Sequence, residues 1–133
     1  MTSVRLVGAL RQGAAIDTSV LGAFVVVPPE MLEGDDMVFR VASDDLREFG
    51  IKRGDLLIVE RRADGRAATA ELVLTTLRDR AYVGRWWRKQ DRRALLDHAL
   101  VPIVEDEDLR VIGAVVVVMR EGHGNPGGGG GER

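Results

Sequence analysis

The sequence predicts a mostly β, single-domain protein, and three observations predict it. Apolar, β-branched runs of strand length recur along the chain, turn residues separate them, and no stretch keeps a sustained helical periodicity. At 133 residues the chain is long enough for one core and too short for two ordinary domains. Hydrophobic residues make up 45% and charged residues 30%, the composition of a soluble globular protein. Nineteen basic residues stand against twenty-one acidic ones, a formal net charge of −2. That balance leaves no field strong enough to make DNA or an anionic membrane surface the main partner. The chain has no cysteine, which excludes disulfides and thiolate metal sites and agrees with a reducing cytoplasm. The first residues hold no continuous apolar core of signal-peptide length, and no segment approaches the ~18 apolar residues of a membrane span. A cytoplasmic protein that does not enter the membrane is the expectation.

The elements follow in order. Residues 1–23 are rich in Ala, Gly and Val, with apolar pieces at 4–7 and 20–27 separated by Gln12-Gly13. They read as a loosely structured arm leading into a strand. Phe24 to Val27 is a β-branched run stopped by Pro28-Pro29, because proline removes a ladder donor and biases its predecessor to extended geometry. Residues 29–33 suit one helical turn, Gly34-Asp35-Asp36 is turn chemistry, and Met37 to Val41 is the next strand. Ser43-Asp44-Asp45 reads as an N-cap for a short helical turn over 46–49, closed by Gly50. Gly54-Asp55 opens a strand over 56–60, and 61–65 is a charged turn. Residues 67–77 read as a weaker strand whose Ala and Thr content equally suits a helix. Residues 81–87 are β-prone, 88–93 form a polar hairpin turn, and 94–96, 101–104 and 109–119 complete the strands. The run VIGAVVVVM, Val111 to Met119, is far too short for a membrane span and reads as a buried strand. From residue 121 the composition turns abruptly to Gly, so 121–133 reads as a flexible tail after a β domain over 24–120.

Few side chains offer chemistry. Asp44 and Asp45 form a carboxylate pair, which enzymes use when two pKa values are pushed apart, but cap residues in solvent look the same. Glu105, Asp106, Glu107 and Asp108 lack the alternating spacing and turn glycine of a calcium loop. His98 and His123 have no second ligand type at metal spacing. Neither a metal nor a cofactor is expected. Trp86-Trp87, flanked by Arg85 and Arg88, suggests a stacking platform for nucleic acid. Alternate strand residues face opposite ways, however, so one Trp in the core and the other partly exposed is the favoured arrangement.

Residues 38–59, VFRVASDDLREFGIKRGDLLIV, resemble the active-site strand and turn of the LexA/UmuD self-cleaving serine-lysine peptidases. In that family the pattern runs roughly R-V-x-G-x-S-M-x-x-x-G-I-x-x-G-D-x-[LV]-x-V. Gly50-Ile51, Gly54-Asp55 and the strand after them fall in register, and Asp45 stands at the serine. The lysine pattern, T-V-K-R-[LFW], matches residues 81–86 and places Gly84 at the lysine. A serine-lysine dyad needs a hydroxyl and a desolvated amine that stays neutral near pH 7. The resemblance therefore implies a pseudo-peptidase without its catalytic pair. Ser43, two residues before the nucleophile position, is the nearby hydroxyl, and it suits a cap or turn. The chain's two lysines, Lys52 and Lys89, lie in polar turns and make poor bases. The family's self-cleavage segment, V-x-G-R-V-A-A-G-x-P, is matched by residues 6–14, with Gln12-Gly13 in place of Ala-Gly.

The likeness runs from about Leu6 to Arg120. Val27-Pro28-Pro29-Glu30, Phe39-Arg40-Val41 and the ending Ile112-Gly113-x-Val115-Val116 add to it. It implies a fold of highly twisted antiparallel sheets that dimerises through its last strand, at Ile112, Val115, Val116, Val117, Val118 and Met119. A long apolar edge strand there would be an aggregation hazard unless paired, an independent reason to expect a dimer. No helix-turn-helix precedes the segment, so direct DNA binding is not expected. Two classes of function remain open. One is a non-catalytic dimerisation and interaction module, a homodimer or a heterodimer with a LexA/UmuD-type protein or a translesion polymerase, regulatory in the DNA-damage response or transcription. The other is an active hydrolase or autopeptidase using a non-standard group such as Asp45. A regulatory domain for an unrelated partner, such as an antitoxin or phage factor, shares the physics of the first.

Overall fold

A computed structural model gives the structure of the chain and describes residues 1–20, 22–63 and 66–120; the Gly-rich tail predicted for 121–133 lies outside them. Ten strands form among the described residues: β1 (Thr2–Arg5), β2 (Gly8–Leu10), β3 (Phe24–Val27), β4 (Met37–Val41), β5 (Asp55–Arg61), β6 (Leu72–Leu77), β7 (Arg80–Lys89), β8 (Arg92–Leu96), β9 (Pro102–Glu105) and β10 (Arg110–Arg120). The β1 and β3 strands pair as a two-stranded sheet, and the other eight run in the order β2-β4-β5-β10-β6-β7-β8-β9. The mostly β class is as the sequence predicts. Pairing is antiparallel except between β2 and β4, where Gly8, Ala9 and Leu10 run parallel to Phe39, Arg40 and Val41.

Burial explains why β4 and β5 are nearly continuous apolar runs: both of their faces are covered. Val38, Leu56 and Ile58 pack with Leu6, Val25 and Val27 beneath the β1–β3 sheet. Met37, Phe39, Val41, Leu57 and Val59 pack on the opposite face with Leu10, Leu46, Ile51, Leu74, Ala81 and Val83. A third cluster gathers Val73, Leu77, Trp86, Leu95, Leu109 and Val111 at the far end of the sheet. The β4–β5 connection is fixed by its glycines and one aspartate. Gly50 at φ 77° and Gly54 at φ 89° take left-handed backbone that favours glycine. The Asp55 carboxylate, 3% exposed, accepts the Lys52 N–H at 2.8 Å. That bond gives the Gly-Asp pair of the sequence its physical role.

Four expectations need correction. Residues 1–23 are not a loose arm: β1 and β2 are strands, and Leu6, Ala9 and Leu10 are buried. Their strand ladders run to β3 and β4, partners that a local reading does not supply. The last strand, β10, is not an edge over its whole length, because Arg110 to Ala114 pair with β6 while Gly113 to Arg120 pair with β5. Residues 67–77 give a strand only from Leu72, since Ala70 at φ 70° donates its N–H to the Trp86 carbonyl and ends the extended path. The 88–93 turn contracts to Gln90-Asp91, because Lys89 pairs with Arg92 and Arg92 is held by Glu105 at 2.9 Å.

Candidate functional site

Three segments converge on the main core cluster: the end of β2, the turn after β4, and the first half of β7. Leu10, Leu46, Ile51, Ala81 and Val83 are all buried in that cluster, with Phe49 packed against it. The Ala42 N–H donates to the Leu10 carbonyl at 2.8 Å, which sets the turn beside the arm. The Arg85 guanidinium lies 5.9 Å from the Phe49 ring centroid and ties β7 to the same turn.

The cleavage-like pair lies along β7. Gly13 N–H donates to the Ala81 carbonyl at 2.8 Å, and Ala81 N–H donates to the Ala14 carbonyl at 2.9 Å. One residue earlier, the Gln12 side chain takes over from the backbone. Its Nε2 donates to the Val83 carbonyl and its Oε1 accepts the Val83 N–H, both at 2.7 Å. Arg80 adds a guanidinium bond to the Gly13 carbonyl at 3.1 Å. The segment then turns back: Ala9 and Asp17 exchange backbone bonds at 2.9 and 3.0 Å. Hydrogen bonds from the Ser19 side chain and N–H hold the Asp17 carboxyl below its ordinary pKa. Thus Gln12-Gly13 is brought against Ala81 and Val83, the residue before Gly84.

Asp45 stands on the turn, exposed, and its carboxylate accepts the Ser43 hydroxyl. Asp44 does not cap the following 3-10 turn (Arg47–Phe49); it accepts the Arg53 N–H at 3.3 Å and faces the Arg53 guanidinium at 3.7 Å. The expected N-cap is therefore not formed, because both polar side chains find partners that do not involve the turn's own N–H groups. Gly50 closes the turn in left-handed backbone, as expected. Gly84 is buried. A Cβ placed on it would meet Leu95 Cβ and the Leu96 carbonyl at 3.1 Å and Ile103 Cδ1 at 3.2 Å. Lys52 and Lys89 are exposed.

Glu105 and Asp106 of the acidic run pair with Arg92 and Arg78, and His98 is exposed and donates its N–H to Glu48 Oε1 at 2.7 Å. Among the described residues no three His, Cys, Asp or Glu side chains gather as a metal site, and His123 lies outside them. No helix among the described residues is long and apolar enough to cross a membrane. Trp86 is 2% exposed and Trp87 is half-buried under the Arg92 guanidinium, the division the strand alternation predicts. The Gln12 clamp escaped sequence reasoning. Its partner lies 71 residues away, and a lone Gln in an Ala/Gly-rich stretch carries no local signal.

The chain is a LexA-like C-terminal domain, a mostly β unit in which residues 12–14 lie along β7. No family model matches the chain. It is 31% identical over 128 residues to the LexA repressor of Geotalea uraniireducens, covering 90% of this chain and 62% of that protein. It is 32% identical over 120 residues to the LexA repressor of Syntrophotalea carbinolica, at 86% and 58% coverage. The LexA repressor of Syntrophomonas wolfei is 30% identical over 121 residues, at 89% and 58%. The chain therefore spans about three fifths of the length of these curated relatives.

Proposed function

We propose that this chain is a pseudo-peptidase: a non-catalytic LexA/UmuD-like module for dimerisation and protein interaction, acting in the cytoplasm in transcriptional or DNA-damage regulation. The observation that carries the reading is the state of the two dyad positions. At the nucleophile position stands a solvent-exposed carboxylate held by Ser43. At the lysine position stands a glycine whose Cβ direction is closed by Leu95, Leu96 and Ile103. A carboxylate does not supply the hydroxyl that attacks a peptide carbonyl in this chemistry, and a glycine supplies no amine to take the proton. Neither lysine elsewhere is desolvated, since Lys52 and Lys89 are both exposed. With cleavage gone, what such a domain retains is its surface. The partners it fits are a second copy, a LexA/UmuD-type protein or a translesion polymerase.

Intact mass after incubation at mildly alkaline pH tests the catalytic half of the proposal. The expected result is a mass unchanged over days, with light scattering reporting a dimer. A cut between Gln12 and Gly13 would sink it, and Ser43→Ala and Asp45→Asn would then identify the acting group. A folded monomer at high concentration would remove the self-association half.

A further inference from the structure

The first half of β7 has a strand on one side only. Residues 80–85 pair with β6, and β8 begins to pair only at Arg85, running from there to Lys89. On the opposite edge, Ala81 and Val83 point their backbone groups away from β6, as alternate residues of an antiparallel strand do. An open edge of this kind is a template for an extended segment of another chain. Here the arm covers it. Gly13 and Ala14 satisfy Ala81 through their backbone. At Val83 the covering group is the Gln12 carboxamide, which presents an N–H donor and a C=O acceptor side by side as a peptide group does and fills both bonds of the missing strand partner.

We propose that Gln12 is a latch: its side chain completes the β7 edge, so that edge is closed by the chain's own arm and excludes the same extended segment offered by a second copy. Gln12 is a positioning residue in this role. The inference deepens the pseudo-peptidase reading, because a segment that is never cut can remain along the β7 edge as a permanent plug. Three features make the arm a self-consistent plug. The Ala9–Asp17 backbone pair turns it back on itself, the Arg80 guanidinium holds the Gly13 carbonyl, and Gly13 at φ 75° supplies the bend between side-chain and backbone pairing.

Amide hydrogen exchange on the full chain tests the latch, comparing wild type with Gln12→Met and Gln12→Ala. Methionine keeps the length of the side chain and removes both hydrogen bonds, so it separates the latch from simple packing. In Gln12→Met the protection of the Val83 amide falls about tenfold or more, while the amides of β5 and of the β10 segment paired with it keep theirs. A fluorescent peptide of residues 7–17 of this chain then binds Gln12→Met and is excluded by the wild type. The proposal is overturned if Val83 stays equally protected, or if wild type takes up the peptide as tightly as the variant. A uniform loss of protection across β5 and β7 also overturns it, since Gln12 would then serve global stability. These readouts do not depend on bond cleavage, so their failure and a mass loss at Gln12-Gly13 are separate results.

Discussion

At the scale of single residues, two buried glycines of the sheet, Gly113 and Gly84, illustrate how the same residue type marks different constraints. A Cβ on Gly113 would lie 2.2 Å from the Glu60 carbonyl oxygen and 2.8 Å from Val59 Cγ1. The nearest obstacle is backbone of the paired strand, which cannot swing aside. A Cβ on Gly84 meets its neighbours at 3.1 Å or beyond, a contact that a few tenths of an ångström of movement relieves. Gly113→Ala is therefore expected to destabilise the protein by about 3 kcal/mol, and Gly84→Ala by about 1 kcal/mol. Urea unfolding checks the order: the midpoint of Gly113→Ala falls well below that of Gly84→Ala, with the slope unchanged. Equal midpoints would mean that β5 and β10 separate freely at this point. The Ile112-Gly113 pair was legible in the sequence as part of the family-like ending. Its reason, a close approach of two backbones, was not.

At the scale of elements, β10 has two halves with different duties. Its first half lies between β5 and β6, and Gly113 and Ala114 pair with both. A bulge between Val115 and Val117 re-phases the second half, after which Val117 and Met119 turn towards the Leu56–Ile58 cluster. Val116 and Val118 face outward at 47% and 40% exposure. Beyond Ala114 no ladder to β6 continues among the described residues, so this half has an open edge beside two exposed β-branched side chains. The sequence reading grouped Ile112, Val115, Val116, Val117, Val118 and Met119 as one interface. Ile112 and Val115 instead lean on the main core, which narrows the proposed interface to Val116, Val118 and the open edge. Val116→Glu with Val118→Glu is expected to give a folded monomer, with the thermal midpoint lowered only by the loss of self-association. Sedimentation or light scattering with circular dichroism reads this out; a persistent dimer would place the interface elsewhere.

At the scale of the molecule, stability rests on three clusters strung along one curled sheet, and their contributions differ. Trp86 anchors the third cluster, whereas Trp87 offers one face to Arg92 at 5.2 Å. Trp86→Ala is expected to cost about 3–5 kcal/mol, and Trp87→Ala about 1 kcal/mol, the worth of a partly exposed cation–π contact. Denaturant unfolding followed by circular dichroism decides between this and an even division, which would imply that the third cluster is loosely packed. The β1–β3 sheet covers the opposite end and buries Leu6, Val25 and Val27 with Val38, Leu56 and Ile58. The residues expected to form a free arm are thus part of the core.

By itself the sequence determined the mostly β class, the strands β3, β4, β5 and β10, the Gly50 turn and the division of labour between the two tryptophans. These follow from local signals: β-branched runs, proline and glycine punctuation, and the two-residue alternation of a strand. The placing of Asp45 and Gly84 at a nucleophile's and its base's positions is an expectation that rests on the resemblance alone. Tertiary structure alone decided that the N-terminal residues are strands, that β10 runs through the sheet interior before reaching an open edge, and that Gln12 completes β7. Those features depend on partners tens of residues away, such as Val83 for Gln12 and Phe39 for Gly8. A ladder hydrogen bond between distant segments leaves no periodicity in either one, so only the folded chain reveals it.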